Sequence, residues 1–298
     1  MTSLRLALAV GCLLIGLSGT PARSQSTDSL PCAGVRFLPA AILVPALLAN
    51  PQEARVGVRK EVGSSRLKLD IGTSMDLIAF TIDSGGSSIA TGIDFFTYAL
   101  TTSSEGFRLQ VDAVDGFFGG HVSFSFPGRD ASYEVRLRLL HLSAHFVDGH
   151  YDLNSGSWRD NRSPLPFTRD FGEILGTIRI HLGGFPLRVY SGFSYATLVR
   201  PAEIGRFATL CGLELSSSEI VPAVLGSRTS LYFACNLTLA AIPSYAGTAA
   251  IETGVKFGPT YGRGVRIYGG FTSGPEIFSQ YYDLRRTAWG LGFAFDAW

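Results

Sequence analysis

The stretch HLSAHFVDGHYD (141–152) gathers three histidines, a serine and two aspartates. On an extended strand, residues two apart share a face, so His141, Ser143 and His145 project from the side that also carries Val135, Leu137 and Leu139. An imidazole beside a hydroxyl is the minimal nucleophile–base pair, in which the base takes the serine proton during attack. A third group must hold the ring in its tautomer. The next strand offers Asp170, with the parity of Thr168, Gly172, Ile174, Gly176 and Ile178, so it is expected at the same height and on the same face. Glu173 has the opposite parity and is the weaker candidate. Ser143 would then be the nucleophile, His141 its base and Asp170 the orienter of the ring. An oxyanion donor is also required, and the sequence names none. The stretch supports two further readings. His141, His145, Asp148 and His150 carry ligand types for a metal ion. Histidine and serine are also ordinary at the interfacial girdle of a membrane barrel, where headgroups and water satisfy them, and this plainer reading is preferred.

The residues between these positions point the other way. Arg136 and Arg138 have even parity, and an arginine on a lipid face near the midplane costs about 2–4 kcal/mol, so the even set should face a lumen. The same argument turns Arg179, Arg188 and Arg266 inward, together with Asp70, Asp94, Asp112 and Glu173. Opposite charges across a narrow barrel pair and fill it, giving a closed structure. Arranged asymmetrically, they would instead line a narrow path for an anionic solute. The closed reading is preferred.

Strands must position all of these. The chain has 298 residues, 46% hydrophobic and only 16% charged, with a net charge of +1 and a mean hydropathy of +0.23. Such hydropathy excludes disorder, and the neutral balance leaves no field for nucleic acid. The composition is that of a membrane protein, yet past the N-terminus no apolar run reaches helix-spanning length, which leaves the closed barrel. Period-two segments such as RLKLDIGTSMDLIAFT (66–81), VRLRLLHLSAHF (135–146) and GVRIYGGFTS (264–273) are separated by glycine, serine and proline clusters. Twelve strands are expected, near 54–62, 66–82, 87–101, 107–126, 131–146, 166–182, 185–198, 205–216, 229–242, 246–258, 262–272 and 284–297. The fold class is therefore all-β, a transmembrane antiparallel barrel over 54–298, in the bacterial outer membrane. With the N-terminus in the periplasm, the long connections 147–165 and 273–283 fall outside, while 126–131 and 183–185 are short periplasmic turns. The 217–228 connection is long and on the wrong side. In the closing WGLGFAFDAW, Trp289, Leu291, Phe293 and Phe295 alternate one residue out of phase with Trp298.

Residues 1–24 read as a cleaved signal peptide. Arg5 precedes the apolar LALAVGCLLIGL (6–17), and Ala22 and Ser24 are the small residues before a cut. Export permits a disulfide, and Cys211 and Cys235 are expected opposite each other if their strands pair about a turn near 223. Two unlinked small residues on adjacent strands is the equal alternative. Residues 25–53, with PAAILVPALLANPQE (39–53), are too short to span as a helix and would plug the barrel, lie along its periplasmic rim or bind a partner.

Several segments resemble an uncharacterised family of bacterial envelope proteins, domain of unknown function 1207. They are LLANPQEARVGV (47–58), VDAVDGFFGG (111–120), VRLRLLHLSAHFVDGHYD (135–152), FTRDFGEILGTIRI (167–180) and YYDLRRTAWGLGFAFD (281–296). The resemblance implies an outer-membrane barrel and no activity. Locally, His141-x-Ser143 resembles the His-x-Ser pairs of outer-membrane phospholipase A and lipid A deacylase, which hydrolyse acyl esters. Ala144 departs from the asparagine that follows the serine in those enzymes. Outer-membrane lipids are the expected surroundings, with an envelope protein or a second copy as partner. No cofactor is identified from the residues; calcium enters only with the hydrolase reading.

Overall fold

Apolar residues alternating with small or polar ones make strands whose two faces meet different solvents. The computed structural model describes residues 34–104, 108–217, 221–224 and 227–296. Twelve strands form its wall. They are β1 (Val56–Glu61), β2 (Arg66–Thr81), β3 (Ser88–Ser104), β4 (Arg108–Pro127), β5 (Ala131–Phe146) and β6 (Phe167–Leu182). There follow β7 (Phe185–Arg200), β8 (Phe207–Ser216), β9 (Ser227–Ala241), β10 (Tyr245–Phe257), β11 (Gly264–Pro275) and β12 (Arg285–Asp296). Each pairs antiparallel with its neighbours, and β12 returns to β1 with Phe293 opposite Val58, closing the ring.

The two faces are inverted relative to a water-soluble protein. Leu139, Phe95, Leu291 and Trp289 are between 65% and 74% exposed on the outside. Arg136, Arg188 and Arg266 are at most 2% exposed on the inside. A ring of paired strands with an apolar exterior satisfies its backbone N–H and C=O groups from strand to strand, as lipid demands. The chain is an outer-membrane-type β-barrel.

β1 is short and meets only the first part of β2, from Lys60 opposite Leu67 to Gly57 opposite Asp70. Farther along the same edge of β2 a separate strand, Val35–Phe37, pairs with Ile78–Phe80. Between these two strands the chain leaves the wall and runs through the lumen. Asp112 faces inward, but a bulge puts it there. Leu100 opposes Ala113 and Thr101 opposes Val111, so Asp112 is the extra residue. Along the rest of β4 the odd residues Ala113, Asp115 and Phe117 are buried while Phe118 is 51% exposed.

The register differs from the expected direct opposition of Cys211 and Cys235 about a turn near 223. Cys211 faces Leu237 and Cys235 faces Leu213, so the two thiols are diagonal neighbours on the outer face, and both are free. Diagonal positions lie about 7–8 Å apart, beyond the reach of a disulfide without backbone movement. The 217–228 connection is long because Val221–Val224 pairs back on β9, with Val221 opposite Thr229, and extends the hairpin past the wall. The signal peptide, Cys32 and Trp298 lie outside the described residues.

Candidate functional site

On the outer wall, β5 and β6 bring the hydrolase candidates to one face. His141 is directly opposite Asp170, and Ser143 directly opposite Thr168. The His141 Nδ1–Asp170 Oδ1 distance is 2.5 Å, with the side chains 33% and 44% exposed. Phe118 of β4 lays its ring against the imidazole at 4.7 Å between centroids. A carboxylate on Nδ1 is also what the orienter of a triad supplies to its base, although here the other ring nitrogen has no hydrogen-bond partner among the described residues. Gly116, across from Ser143, leaves the serine uncrowded, since a Cβ there would stand 4.0 Å from Oγ. Among the described residues, no hydrogen bond joins Ser143 Oγ to His141. Glu173 faces the lumen, on Arg138.

The metal set does not converge. His141 and His145 are on the outer face, whereas His150 is fully buried at the barrel mouth, its Nδ1 2.6 Å from Asp112. A strand and the turn after it send these side chains to opposite sides of the wall, and among the described residues no three potential ligands cluster.

Every residue assigned to the lumen network faces inward, and the partners are specific. Arg136 and Arg138 share Glu53 and Glu173, with Arg136 Nη2 donating to Glu53 Oε1 at 2.5 Å and Arg138 Nε donating to Glu173 at 3.0 Å. Arg188 meets Glu214 at 3.3 Å, and Arg179 meets Glu134 at 2.6 Å. Arg266 joins Glu252 and Asp296, and Lys68 joins Asp70. Asp94 and Asp76 flank His121, which is 2.9 and 2.8 Å from them. Buried charges demand this pairing, because an unpaired ion in a low-dielectric interior costs several kcal/mol.

Sequence reasoning missed the residues that join the wall to the chain inside it. Within the described residues, the chain from 43 to 55 lies against inward-facing wall side chains. Val44, Leu47, Glu53 and Ala54 are at most 1% exposed. With Pro39 and Pro45 the segment builds no regular ladder, so wall side chains satisfy its backbone. Leu43 N–H donates to Asp76 and Leu48 N–H to Glu214, both at 2.7 Å. Arg188 donates to the Pro45 carbonyl at 2.8 Å, and Arg55 donates to Glu252 at 3.2 Å. Glu214, Glu252 and Asp296 had a legible signal, the inward parity of their strands. Glu53 and Arg55 had none, as their segment has no period.

The opposite mouth is closed by the loop between β11 and β12. Phe278 and Tyr281 enter an apolar cluster with Tyr98, Phe117, Leu142 and Phe146. Ser279 donates to Asp115 through N–H at 3.0 Å and through Oγ at 2.5 Å. Gln280 donates to the carbonyls of Ala144 and Leu165 at 2.8 and 2.7 Å. Burial and the Asp112 carboxylate raise the Tyr281 phenol, which donates to Asp112 at 2.6 Å. At the loop's far end, the Arg162 guanidinium holds Asp283 below the usual carboxylate range. Tyr282 is pushed up to about 12 by donating to Glu203.

No protein-family model matches the chain, and no curated protein matches it. The likenesses to the uncharacterised envelope family and to the two lipid hydrolases thus remain likenesses of segments. Among solved structures the chain is similar to the beta domain of the Bordetella autotransporter BrkA, at 13% identity and a TM-score of 0.45. That match covers 80% of this chain and 96% of the other. It is also similar to OccAB1 of Acinetobacter baumannii, at 10% identity and a TM-score of 0.35 over 89% and 74% of the two chains. OmpT of Vibrio cholerae, an outer membrane protein, matches at 10% identity and a TM-score of 0.28 over 88% and 97%. At such figures nothing of those proteins' activity passes to this chain.

Proposed function

We propose that the protein is a closed outer-membrane barrel with a structural or partner-binding role, its lumen stoppered by its own residues 39–55. The observation that carries this is Glu53, held inside the barrel by Arg136 and Arg138 of the wall. Side chains and plug together fill the section through which a solute would pass. In planar bilayers the full chain should give a closed baseline, and deletion of 39–52 should give steady conductance. A wild-type protein that conducts steadily would remove the closed reading and favour a narrow pore for a small solute. A partner would be an envelope protein or a second copy, recovered in mild detergent and lost when residues 25–53 are deleted.

The His141–Asp170 contact beside Ser143 favours a second reading, a lipid acyl-ester hydrolase. Ser143 Oγ would attack the ester carbonyl while His141 takes its proton, and the ring would return that proton to the departing alcohol. Water would then free the fatty acid from the serine. The test is fatty-acid release from phospholipid and lipopolysaccharide, followed by mass spectrometry with and without calcium. Release lost in both Ser143→Ala and His141→Ala would support it. Equal release by the variants, or none at all, would reduce both residues to interfacial polarity.

A further inference from the structure

Between the tip of the plug and the inturned β11–β12 loop there is a cavity of about 80 Å³, bordered by Asn50–Gln52 on one side and by Ile277 on the other. A water needs only about 10–15 Å³ on this measure, so the space has room for more than one or two waters. Its walls are chiefly apolar, with Phe117, Leu140, Leu142, Phe171 and Ile277 among them. The chamber borders the apolar cluster of the mouth loop, with which it shares Phe117 and Leu142.

Two guanidiniums and two carboxylates also reach it, and three of the four are engaged. Arg138 is bound to Glu173 at 2.8 Å, and Glu276 is bound to Arg66 at 2.6 Å. Arg169 is the remainder. It is 7% exposed, and its Nε is buried with no hydrogen-bond partner. Among the described residues it has no ion pair; its guanidinium carbon stands 5.5 Å from the ring centre of Phe171. Arg136, Arg138, Arg188 and Arg266 each have a carboxylate, whereas Arg169 has none among the described residues, and an unpaired buried ion is costly. An arginine fork is matched by a carboxylate in two parallel hydrogen bonds, and the cavity walls suit an apolar body attached to it.

We propose that this chamber binds an apolar monocarboxylate, its carboxylate on Arg169 and its hydrocarbon part against Phe117, Leu140, Leu142 and Phe171. The plug supplies the floor and the β11–β12 loop the roof, so the bound molecule is held inside the closed barrel. Charge and shape would both be needed. A neutral alcohol of equal length leaves the guanidinium unpaired, and a small anion leaves the chamber unfilled.

The test is titration calorimetry on the refolded full chain in detergent, with sodium hexanoate, 1-hexanol and sodium acetate as probes and empty micelles as the blank. Hexanoate should bind saturably at one site, with hexanol and acetate at least tenfold weaker. Arg169→Gln should weaken hexanoate at least tenfold. Ala208→Leu, which fills the chamber and keeps the charge, should do the same. Both variants are checked for native heat-modifiable migration, so that loss of binding is not loss of fold. The proposal is overturned if the wild type shows no hexanoate binding at millimolar concentration. Equal hexanoate binding by Arg169→Gln overturns it too, as does acetate binding as tight as hexanoate.

Discussion

Glu53 and Arg136 meet at 2.5 Å inside the barrel, one carried by the luminal segment and the other by the wall. Both are 1% exposed, so neither charge has water to fall back on. Glu53→Gln leaves Arg136 and Arg138 to share the Glu173 carboxylate, and breaking a buried pair in this way costs about 3–5 kcal/mol. The unfolding midpoint read on a heat-modifiable gel should fall, and intermittent conductance should appear as the plug loosens. The double variant with Arg136→Gln should lose less than the sum of the two single losses. An unchanged midpoint in Glu53→Gln would mean that the segment is held by its backbone contacts alone.

The free thiols give a test of register. Cys235 lies directly opposite Leu213, while Cys211 lies opposite Leu237. Directly paired residues on antiparallel strands have Cα separations of about 4.5–5.5 Å, inside the disulfide window. Mild oxidation should therefore leave Cys211 and Cys235 unlinked in the wild type. In a Cys211→Ser background, Leu213→Cys should cross-link to Cys235 in high yield. Mass spectrometry of peptic fragments reads both outcomes, and a native Cys211–Cys235 link would place the β8–β9 register two residues away.

The same register shows what was legible in the sequence. Strands with lipid on one side and ion pairs on the other have strong period-two contrast, which is why twelve of them and the inward arginines were readable. His141 and Asp170 were readable together because parity and height on adjacent strands fix both coordinates. The cysteine pairing was not, because a slip of two residues leaves every side chain on its own face and parity cannot see it. The bulge at Asp112 was hidden for a related reason, since one extra residue reverses parity without leaving a mark in composition. Glu53 was hidden because its segment alternates with nothing. Arg169 shared the odd parity of Glu173 and Arg179 on β6, and what the sequence could not show was that no carboxylate would face it.

The mouth loop should respond to acid. Arg162 donates to both oxygens of Asp283 at 2.8 and 2.9 Å and holds that carboxyl below its ordinary value. A depressed carboxylate contributes its stability above the unfolded value, about 3.9, and loses it as the pH falls through the lower folded value. The pair is partly exposed, so its contribution is under about 1 kcal/mol. Tyr282, pushed up to about 12 on Glu203, keeps its proton through the neutral and mildly alkaline range. Hydrogen exchange over 283–286, corrected for intrinsic rate, should show a loss of protection below about pH 4. Asp283→Asn should lower the plateau and flatten the acid limb. Protection that rises on acidification would reverse the sign and remove Asp283 as the cause.

Tyr268 depends on two glycines. It sits on β11 directly between Gly254 of β10 and Gly292 of β12, and it packs with Tyr232, Ala294 and Leu48 of the plug. A Cβ on Gly292 would lie 2.7 Å from Tyr268 Cζ and 2.6 Å from the Val58 carbonyl oxygen. The carbonyl is backbone and cannot turn aside, so the added methyl presses on a ring whose cluster includes Leu48 of the plug. Overpacking of this kind costs about 1–3 kcal/mol. Gly292→Ala should lower the heat-modifiable midpoint and raise plug-dependent conductance together, since one displaced ring touches both wall and plug. Gly269→Ala is the control, because its Cβ would face outward with Leu291 Cδ2 as the nearest atom at 4.0 Å. Its midpoint should stay at the wild-type value. Equal losses from both variants would show that the barrel is sensitive to any added methyl on these strands, and the pairing of Tyr268 with its glycines would lose its special weight.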